Sequence, residues 1–460
     1  MDIKVNIKPC ILALSVSAAA WMNSTVYADT ISQNTVQSST VTSLPQLIEI
    51  ALNHDGNRKQ FLAEAQAIRE TGIADATWMD PKLKVGVTGL PVDSFEFDED
   101  PMTNLSIGIM QQFGRGDTLD LRHRKANQQA NGTELQAAAR ELDVINSMVL
   151  LWLELGYQQI AEKVLLENRQ LMQEMEQFIQ TNYSIGKSET QDLLNAQLQV
   201  SRLDEKLQTN KQRQQRLIAQ LSEWLGSDWL ATGRNLQASN HLDWSKLQQQ
   251  LDNNTDLYSY YPYLNQHPMV RMTDATITAR QTQVDIARQA YTPQFGIEVM
   301  YAYRQSNNMR GEPASDLVSA YLTMDIPLFT GNRQDRKLSA AQYQVGAAQS
   351  QKDVLLTQMN AKVNALLADH KNLNQRIQHY QSTLLPQAKA RIHAVERGYQ
   401  NNTAQFNDVI TASNDELSLQ LEHQRLLTDL NIVNSRLAQL LGSYEFPAAK
   451  PLSAITPVKQ

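Results

Sequence analysis

The sequence predicts a mainly α-helical chain that also carries membrane β-hairpins, and three observations support this fold class. Glycine and proline are scarce, 18 and 14 of 460 residues, and long stretches rich in Gln, Asn, Leu and Ala favour long helices. The chain also repeats itself at a separation of 216 residues, as Tyr183 and Tyr399 or Asp192 and Asp408 show. Finally, apolar and polar residues alternate in two short segments of each repeat, which is the period of β-strands.

Residues 1–28 have the pattern of a signal peptide. Lys4 and Lys8 precede an apolar run over 11–21, and small residues follow at a cleavage position. Cys10 is the only cysteine and lies inside this segment, so we expect neither a lipid anchor nor a disulfide in the mature chain. A buried N-terminal helix is the alternative interpretation.

The repeat divides the rest of the chain. We expect a linker over 29–44, a first repeat over 45–226, a connecting segment over 227–256, a second repeat over 257–442 and a tail over 443–460. Each repeat is predicted to run in the order helix, β-hairpin, very long helix, turn and long helix.

The two hairpins are predicted over 82–113 and 294–329, with apolar residues at every second position of each strand. Four strands cannot close a barrel, and an open sheet edge in lipid leaves backbone groups without hydrogen bonds, at a cost of several kcal/mol each. Three chains would supply the strands of a 12-stranded β-barrel, with polar residues such as Glu298 and Asp325 facing its lumen. A soluble pair of hairpins packed on helices is the alternative.

The long helices are predicted to follow directly from the strands. Residues 117–182 contain no proline, which predicts a helix of about 100 Å. Asp117 and Asn332 are predicted to cap the two long helices, and the preceding Gly116 and Gly331 permit the change of direction.

Turns are predicted near 183–191 and 399–407, between each long helix and the helix that returns from it. Pro386 has no counterpart in the first repeat and is predicted to bend its helix near the second turn. Apolar residues between 359 and 384 recur in steps of three and four, which indicates a coiled-coil seam.

No enzyme chemistry is predicted. The chain has no motif for a catalytic nucleophile, a phosphate-binding loop or a metalloprotease site, so we expect no catalytic residue, no cofactor and no metal site. His370 and His379 are nine residues apart and do not share a helix face at the spacing of metal ligands. The formal net charge of −7, with interspersed Lys and Arg, argues against a nucleic-acid partner.

The layout resembles the TolC family of outer-membrane efflux proteins over nearly the whole mature chain. The resemblance is carried by residues 44–60, by the two strand-to-helix junctions, and by the turns within 182–197 and 398–413. It implies a homotrimer in the outer membrane of a Gram-negative bacterium, in contact with its lipid, whose barrel continues into a long helical barrel through the periplasm. It also implies a periplasmic adaptor and an inner-membrane RND pump as partners of a passive exit duct.

The resemblance assigns the two turns to the periplasmic entrance of the tunnel. It predicts a positive φ at Gly186 and at its counterpart Asn402. Tyr399, Asp192 and Asp408 would lie nearby, and a threefold arrangement would place rings of carboxylates there. The alternative is that each aspartate supports the first turn of its helix through the helix dipole.

Two positions depart from the family pattern at this entrance. Ala404 stands where the family's best-known member has an arginine that helps to hold the entrance shut, and Thr411 replaces a second entrance aspartate of that member. A closed state would therefore need other contacts.

A finer resemblance to the heavy-metal branch of the family covers residues 90–124 and indicates divalent or heavy-metal cations as cargo. Multidrug efflux, type I secretion and a periplasmic coiled-coil scaffold are the alternatives. This region contains a predicted extracellular acidic loop, for which a solvated surface is the competing interpretation. The loop carries Asp93, Glu96, Asp98, Glu99 and Asp100.

Overall fold

The computed structural model describes residues 43–227, 229, 236–252, 260–308, 310–401 and 403–446. The predicted signal peptide with Cys10, most of the linker, and the tail beyond residue 446 lie outside these residues. None of the helices in the described ranges is long and apolar enough to cross a membrane.

The first half of the described chain consists of four helices and a hairpin. They are α1 (Leu44–His54), α2 (Gly56–Asp75), β1 (Lys82–Thr88), β2 (Asn104–Gln112), α3 (Thr118–Ser184) and α4 (Thr190–Leu225). With 67 residues, α3 is about 100 Å long, as the absence of proline predicted.

The second half repeats this order after one additional short helix. Its elements are α5 (Ser245–Asp252), α6 (Tyr261–Gln266), α7 (Pro268–Gln289), β3 (Gln294–Tyr303), β4 (Leu317–Asp325), α8 (Gln334–His379), α9 (Leu385–Gln400) and α10 (Phe406–Leu441). A π-helical turn, Tyr380–Leu384, joins α8 to α9 directly before Pro386. Proline lacks an N–H and its ring crowds the carbonyl four residues earlier, so a wider turn forms before it. Proline and π-helical turns are both usual causes of a kink, and the bend of this helix stays a prediction.

The strand-to-helix junctions differ from the prediction in their caps. Asp117 is at the N-cap of α3, but its side chain accepts no capping hydrogen bond. The prediction that Asn332 caps the second long helix is wrong, because α8 begins at Gln334 after Arg333. The carbonyl of Thr330 accepts hydrogen bonds from the backbone N–H groups of Arg333 and Asp335, and this turn delays the start of the helix.

The two hairpins form one antiparallel sheet in the order β1-β2-β3-β4. Its register pairs Leu83 with Ile109 and Ile107 with Tyr301, so apolar residues of neighbouring strands lie on the same face. That apolar face is exposed across all four strands. Its members include Leu83, Val85, Val87, Leu105, Ile107, Ile109, Phe295, Ile297, Val299, Tyr301, Val318, Leu322 and Met324.

The hydrophobic core lies among the helices rather than on the sheet. One cluster packs α1 against α3 and α4 and includes Leu47, Ile48, Met148 and Leu221. A second cluster joins α8 to α10 and includes Met359, Val363 and Leu437. The seam predicted on α8 is therefore packed against another helix of the same chain over part of its length.

Candidate functional site

The first helix-to-helix turn depends on Gly186. The N–H of Gly186 donates to the carbonyl of Tyr183 at 3.0 Å, and the N–H of Lys187 donates to the carbonyl of Asn182 at 2.8 Å. This pair of bonds is a Schellman motif, which closes the C-terminus of α3 when the residue after the cap has a positive φ. Gly186 has a φ of 75°.

The second turn is closed by the carbonyl of Gly398, which accepts hydrogen bonds from the N–H groups of Thr403 and Ala404 at 2.8 and 3.1 Å. An added Cβ at Gly398 would lie 2.9 Å from the Cβ of Ala404, so the small residue at 404 packs closely against the end of α9. Asn402, the counterpart of Gly186, lies outside the described residues.

Both turns meet at one end of the helices. Ile179 and Ala196, which flank the first turn, share a buried cluster with Phe406 and Val409, which follow the second. The rings of Tyr399 and Phe406 are 5.8 Å apart. The structure thus brings Gly186 and Tyr399 to the same end of the helices, although they are far apart in sequence.

The two aspartates near these turns have different surroundings. Asp192 is half-buried in the first turn of α4, and burial together with the charge of Glu189 raises the pKa of its carboxyl group. Asp408 is exposed, and its Oδ2 accepts a hydrogen bond from the N–H of Gln405 at 3.1 Å, within a capping box. Asp408 therefore supports the start of α10. This is the structural role that the sequence analysis gave as the alternative to a carboxylate ring.

The polar face of the sheet carries the predicted lumen residues. Lys84 Nζ donates to Glu298 Oε2 at 2.6 Å, and the Glu298 side chain is 14% exposed. Asp325 accepts from the N–H of Gln294 at 2.6 Å and pairs with the Arg115 guanidinium. Both carboxylates are thus neutralised within one chain by cations that the sequence did not connect to them.

The acidic loop joins β1 to β2 and is exposed over most of its length. The Oδ1 of Asp100 accepts a hydrogen bond from the N–H of Met102 at 2.7 Å, and Glu99 accepts one from Ser94. Phe95 has a φ of 55°, unusual for a residue other than glycine. Within the described ranges, no three His, Cys, Asp or Glu side chains are close enough together to hold a metal ion.

Comparison with known proteins gives a family match for the second half of the chain. Residues 260–443 match the family model described as outer membrane efflux protein. No curated protein sequence matches the chain.

Solved structures share the fold over most of the chain. A membrane protein from Pseudomonas aeruginosa matches with a TM-score of 0.71 and 15% identity, over 86% of this chain and 90% of that one. CusC, described in terms of its folding and transmembrane channel formation, has a TM-score of 0.71 and 16% identity, over 86% and 91%. The outer membrane protein VceC from Vibrio cholerae has a TM-score of 0.69 and 18% identity, over 87% and 96%.

Sequence identities this low show a shared fold only, whereas the family match supports the location and the class of activity. The match indicates an outer-membrane protein with a periplasmic part, and a passive channel rather than an enzyme. Residues 260–443 are therefore similar to the outer membrane efflux protein family, and the described chain shares the fold of solved TolC-like channels.

Proposed function

We propose that three copies of this chain form a passive exit duct, with a 12-stranded β-barrel in the outer membrane and a helical tunnel in the periplasm. The observation that carries this proposal is the apolar face shared by all four strands, which is exposed in the single chain. Large exposed apolar surfaces are typical of contacts with lipid or with another protein.

The strand order supports closure by further copies. Among the described strands, β1 and β4 each have a neighbour on one side only, and the strands alternate in direction across the sheet. With an even number of alternating strands, β4 of one chain runs antiparallel to β1 of the next, as a closed membrane barrel requires. Closure also supplies partners for edge N–H and C=O groups that are costly to expose in lipid.

The mass of the detergent-purified protein tests this assembly. We expect a folded trimer by native mass spectrometry or by light scattering corrected for detergent. A properly folded monomer would contradict the proposal, and recovery from the soluble periplasmic fraction without detergent would favour a periplasmic scaffold instead.

We place the end of the helices that carries both turns at the periplasmic entrance, where an adaptor joins the duct to an inner-membrane RND pump. The support is the family match together with the clustering of the two turns around Ile179 and Phe406.

In a trimer, Asp192 and Asp408 would each form a ring of carboxylates, which disfavours anions. We expect Asp408→Ala to raise anion conductance in planar bilayers, and unchanged selectivity would remove the ring from the proposal.

The cargo that we propose is divalent or heavy-metal cations, delivered by the pump. The support is the acidic loop between β1 and β2, whose exposed carboxylates suit hard cations, and the resemblance of residues 90–124 to the heavy-metal branch. A deletion strain should become sensitive to zinc, cobalt, cadmium, copper or silver. Sensitivity to organic toxins alone, or loss of a secreted polypeptide, would instead indicate multidrug efflux or type I secretion.

A further inference from the structure

A basic cleft lies between α2, α3 and α7, near the end of the sheet, and has a volume of about 520 Å³. Apolar side chains such as Ile68 and Ile286 form part of its wall, while Arg122, Lys125 and Asp75 supply charged groups. Clefts that combine an apolar wall with a few convergent polar groups are typical binding sites for small molecules.

The cations around this cleft form no ion pair within 4 Å in the part of the chain that the structure describes, although Asp75 lies in the same cleft. Lys125 Nζ donates to Gln283 Oε1 at 2.8 Å, and Arg280 Nη1 donates to Gln344 Oε1 at 3.0 Å, so both hydrogen-bond to neutral amides. Among the described residues, neither of them nor Arg122 forms an ion pair.

Arg124 provides a contrast within the same turn of α3. Its Nη2 donates to Asp285 Oδ2 at 2.9 Å, and it does not line the cleft. The two cations that line the cleft, Arg122 and Lys125, are thus left without an ion pair, while the neighbouring Arg124 is paired.

Lys125 is the focus of this charge. It is half-buried, and burial, followed by the nearby charges of Arg280 and Arg122, lowers the pKa of its ammonium group, with partial opposition from Asp75. Arg280 and Lys125 also line an adjoining cavity of about 250 Å³. A bound anion would offset the repulsion among the three cations.

The cleft is connected to the polar side of the sheet. Arg122 lines a smaller cavity of about 220 Å³ together with Arg115 and Gln294. Both of these residues contact Asp325, at the end of the polar sheet face. Arg122 lines both the cleft and this cavity, so the cleft lies beside the Arg115–Asp325 pair at the end of the polar sheet face.

We propose that this cleft binds a small oxyanion, a phosphate- or carboxylate-bearing molecule, with Arg122 and Lys125 as its donors. The guanidinium fork of Arg122 suits two oxygen atoms, and the Lys125 ammonium acts as a point charge beside it. An apolar part of the ligand would contact Ile68 and Ile286. The site lies within one chain, so it goes beyond the duct function and does not depend on the proposed trimer.

Calorimetric titration of the full-length protein, in a non-ionic detergent and a phosphate-free buffer, tests this site. The probes are inorganic phosphate and dihexanoyl phosphatidylglycerol below its micelle concentration. We expect saturable binding of phosphate, and we expect Arg122→Gln and Lys125→Gln each to weaken it about tenfold or more, because each removes a charged hydrogen-bond donor.

Two further variants make the result decisive. Arg124→Gln removes a paired charge from the same helix turn and should leave phosphate binding unchanged, and Lys125→Arg should retain most of it. Binding of neither probe to the wild-type protein, or equal binding by all variants, would overturn the proposal, and binding of the lipid alone, lost in the two Gln variants, would identify the ligand as a phospholipid headgroup with its acyl chains. Thermal melting of each variant checks that it is folded, and the Lys125→Arg result separates loss of charge from loss of packing.

Discussion

Lys84 on β1 donates a hydrogen bond of 2.6 Å to Glu298 on β3 and crosses the strand between them to do so. The residue opposite Lys84 on β2 is Gly108, which has no side chain to obstruct the path. This ion pair ties the hairpins of the two repeats together on the polar face, and it balances charge on the surface that we assign to the lumen.

Removing one member of this pair should change the ion selectivity of the duct. We expect Glu298→Gln to shift selectivity towards anions and Lys84→Gln to shift it towards cations, because each leaves one uncompensated charge per chain. The measurement is the reversal potential in planar bilayers under a salt gradient. The charge-swapped double variant should restore the wild-type value, and a shift of both single variants in the same direction would contradict the assignment.

The conformation of Gly186 should make its substitution costly. Gly186→Ala places a side chain at a φ of 75°, which should destabilise the protein by about 1 kcal/mol. Gly346→Ala is the matched control, since Gly346 lies inside α8 with no atom within 4 Å of an added Cβ, and it should stabilise the protein by up to about 1 kcal/mol. Denaturant unfolding measures both, and equal effects would rule out the backbone argument.

Asp55 should be a main determinant of how α2 is held on α3. It is 8% exposed, its Oδ1 accepts from the N–H of Arg58 at 2.6 Å, and its Oδ2 accepts from Arg140 Nη2 at 2.8 Å. We expect Asp55→Ala to cost about 2 to 4 kcal/mol, because it removes a helix cap and leaves a partly buried arginine unpaired. Asp55→Asn keeps a capping oxygen and should cost less in the same unfolding measurement.

His267 should make stability depend on pH. Its Nδ1 accepts from the N–H of Met269 at 3.2 Å at the start of α7, and burial lowers the pKa of its imidazole. The unfolded chain therefore binds a proton that the folded chain does not. Stability should fall as the pH drops below about 6.5, by up to about 1.4 kcal/mol per pH unit for this group.

His267→Asn tests this dependence. Asparagine is a good N-cap without a titrating ring, so it should keep the start of α7 while reducing the loss of stability between about pH 7 and 5. Melting temperatures across this range measure the effect. An unchanged pH slope in the variant would show that other groups cause the acid sensitivity.

The sequence was informative about the candidate site where backbone conformation decides the residue. A tight turn after a long helix requires a positive φ, and the family resemblance of the turn sequence placed that conformation at Gly186. The partners of Asp325 and Glu298 were not, since Arg115 and Lys84 lie 210 and 214 residues away along the chain. The unpaired cations of the basic cleft were hidden for the same reason, because only packing shows which charges are neutralised.

The sequence by itself determined the lengths of the helices, the alternation of the strands and the order of elements in each half, because these follow from local periodicity and from where proline and glycine stand. Local pattern did not determine the start of α8, where a turn at Thr330 replaced the predicted cap at Asn332. Only the tertiary structure decided that the two hairpins form one sheet, that the two turns share a cluster around Phe406, and that charge gathers beside Lys125. Such contacts join residues far apart in the chain, and their energies depend on burial and distance in the folded protein.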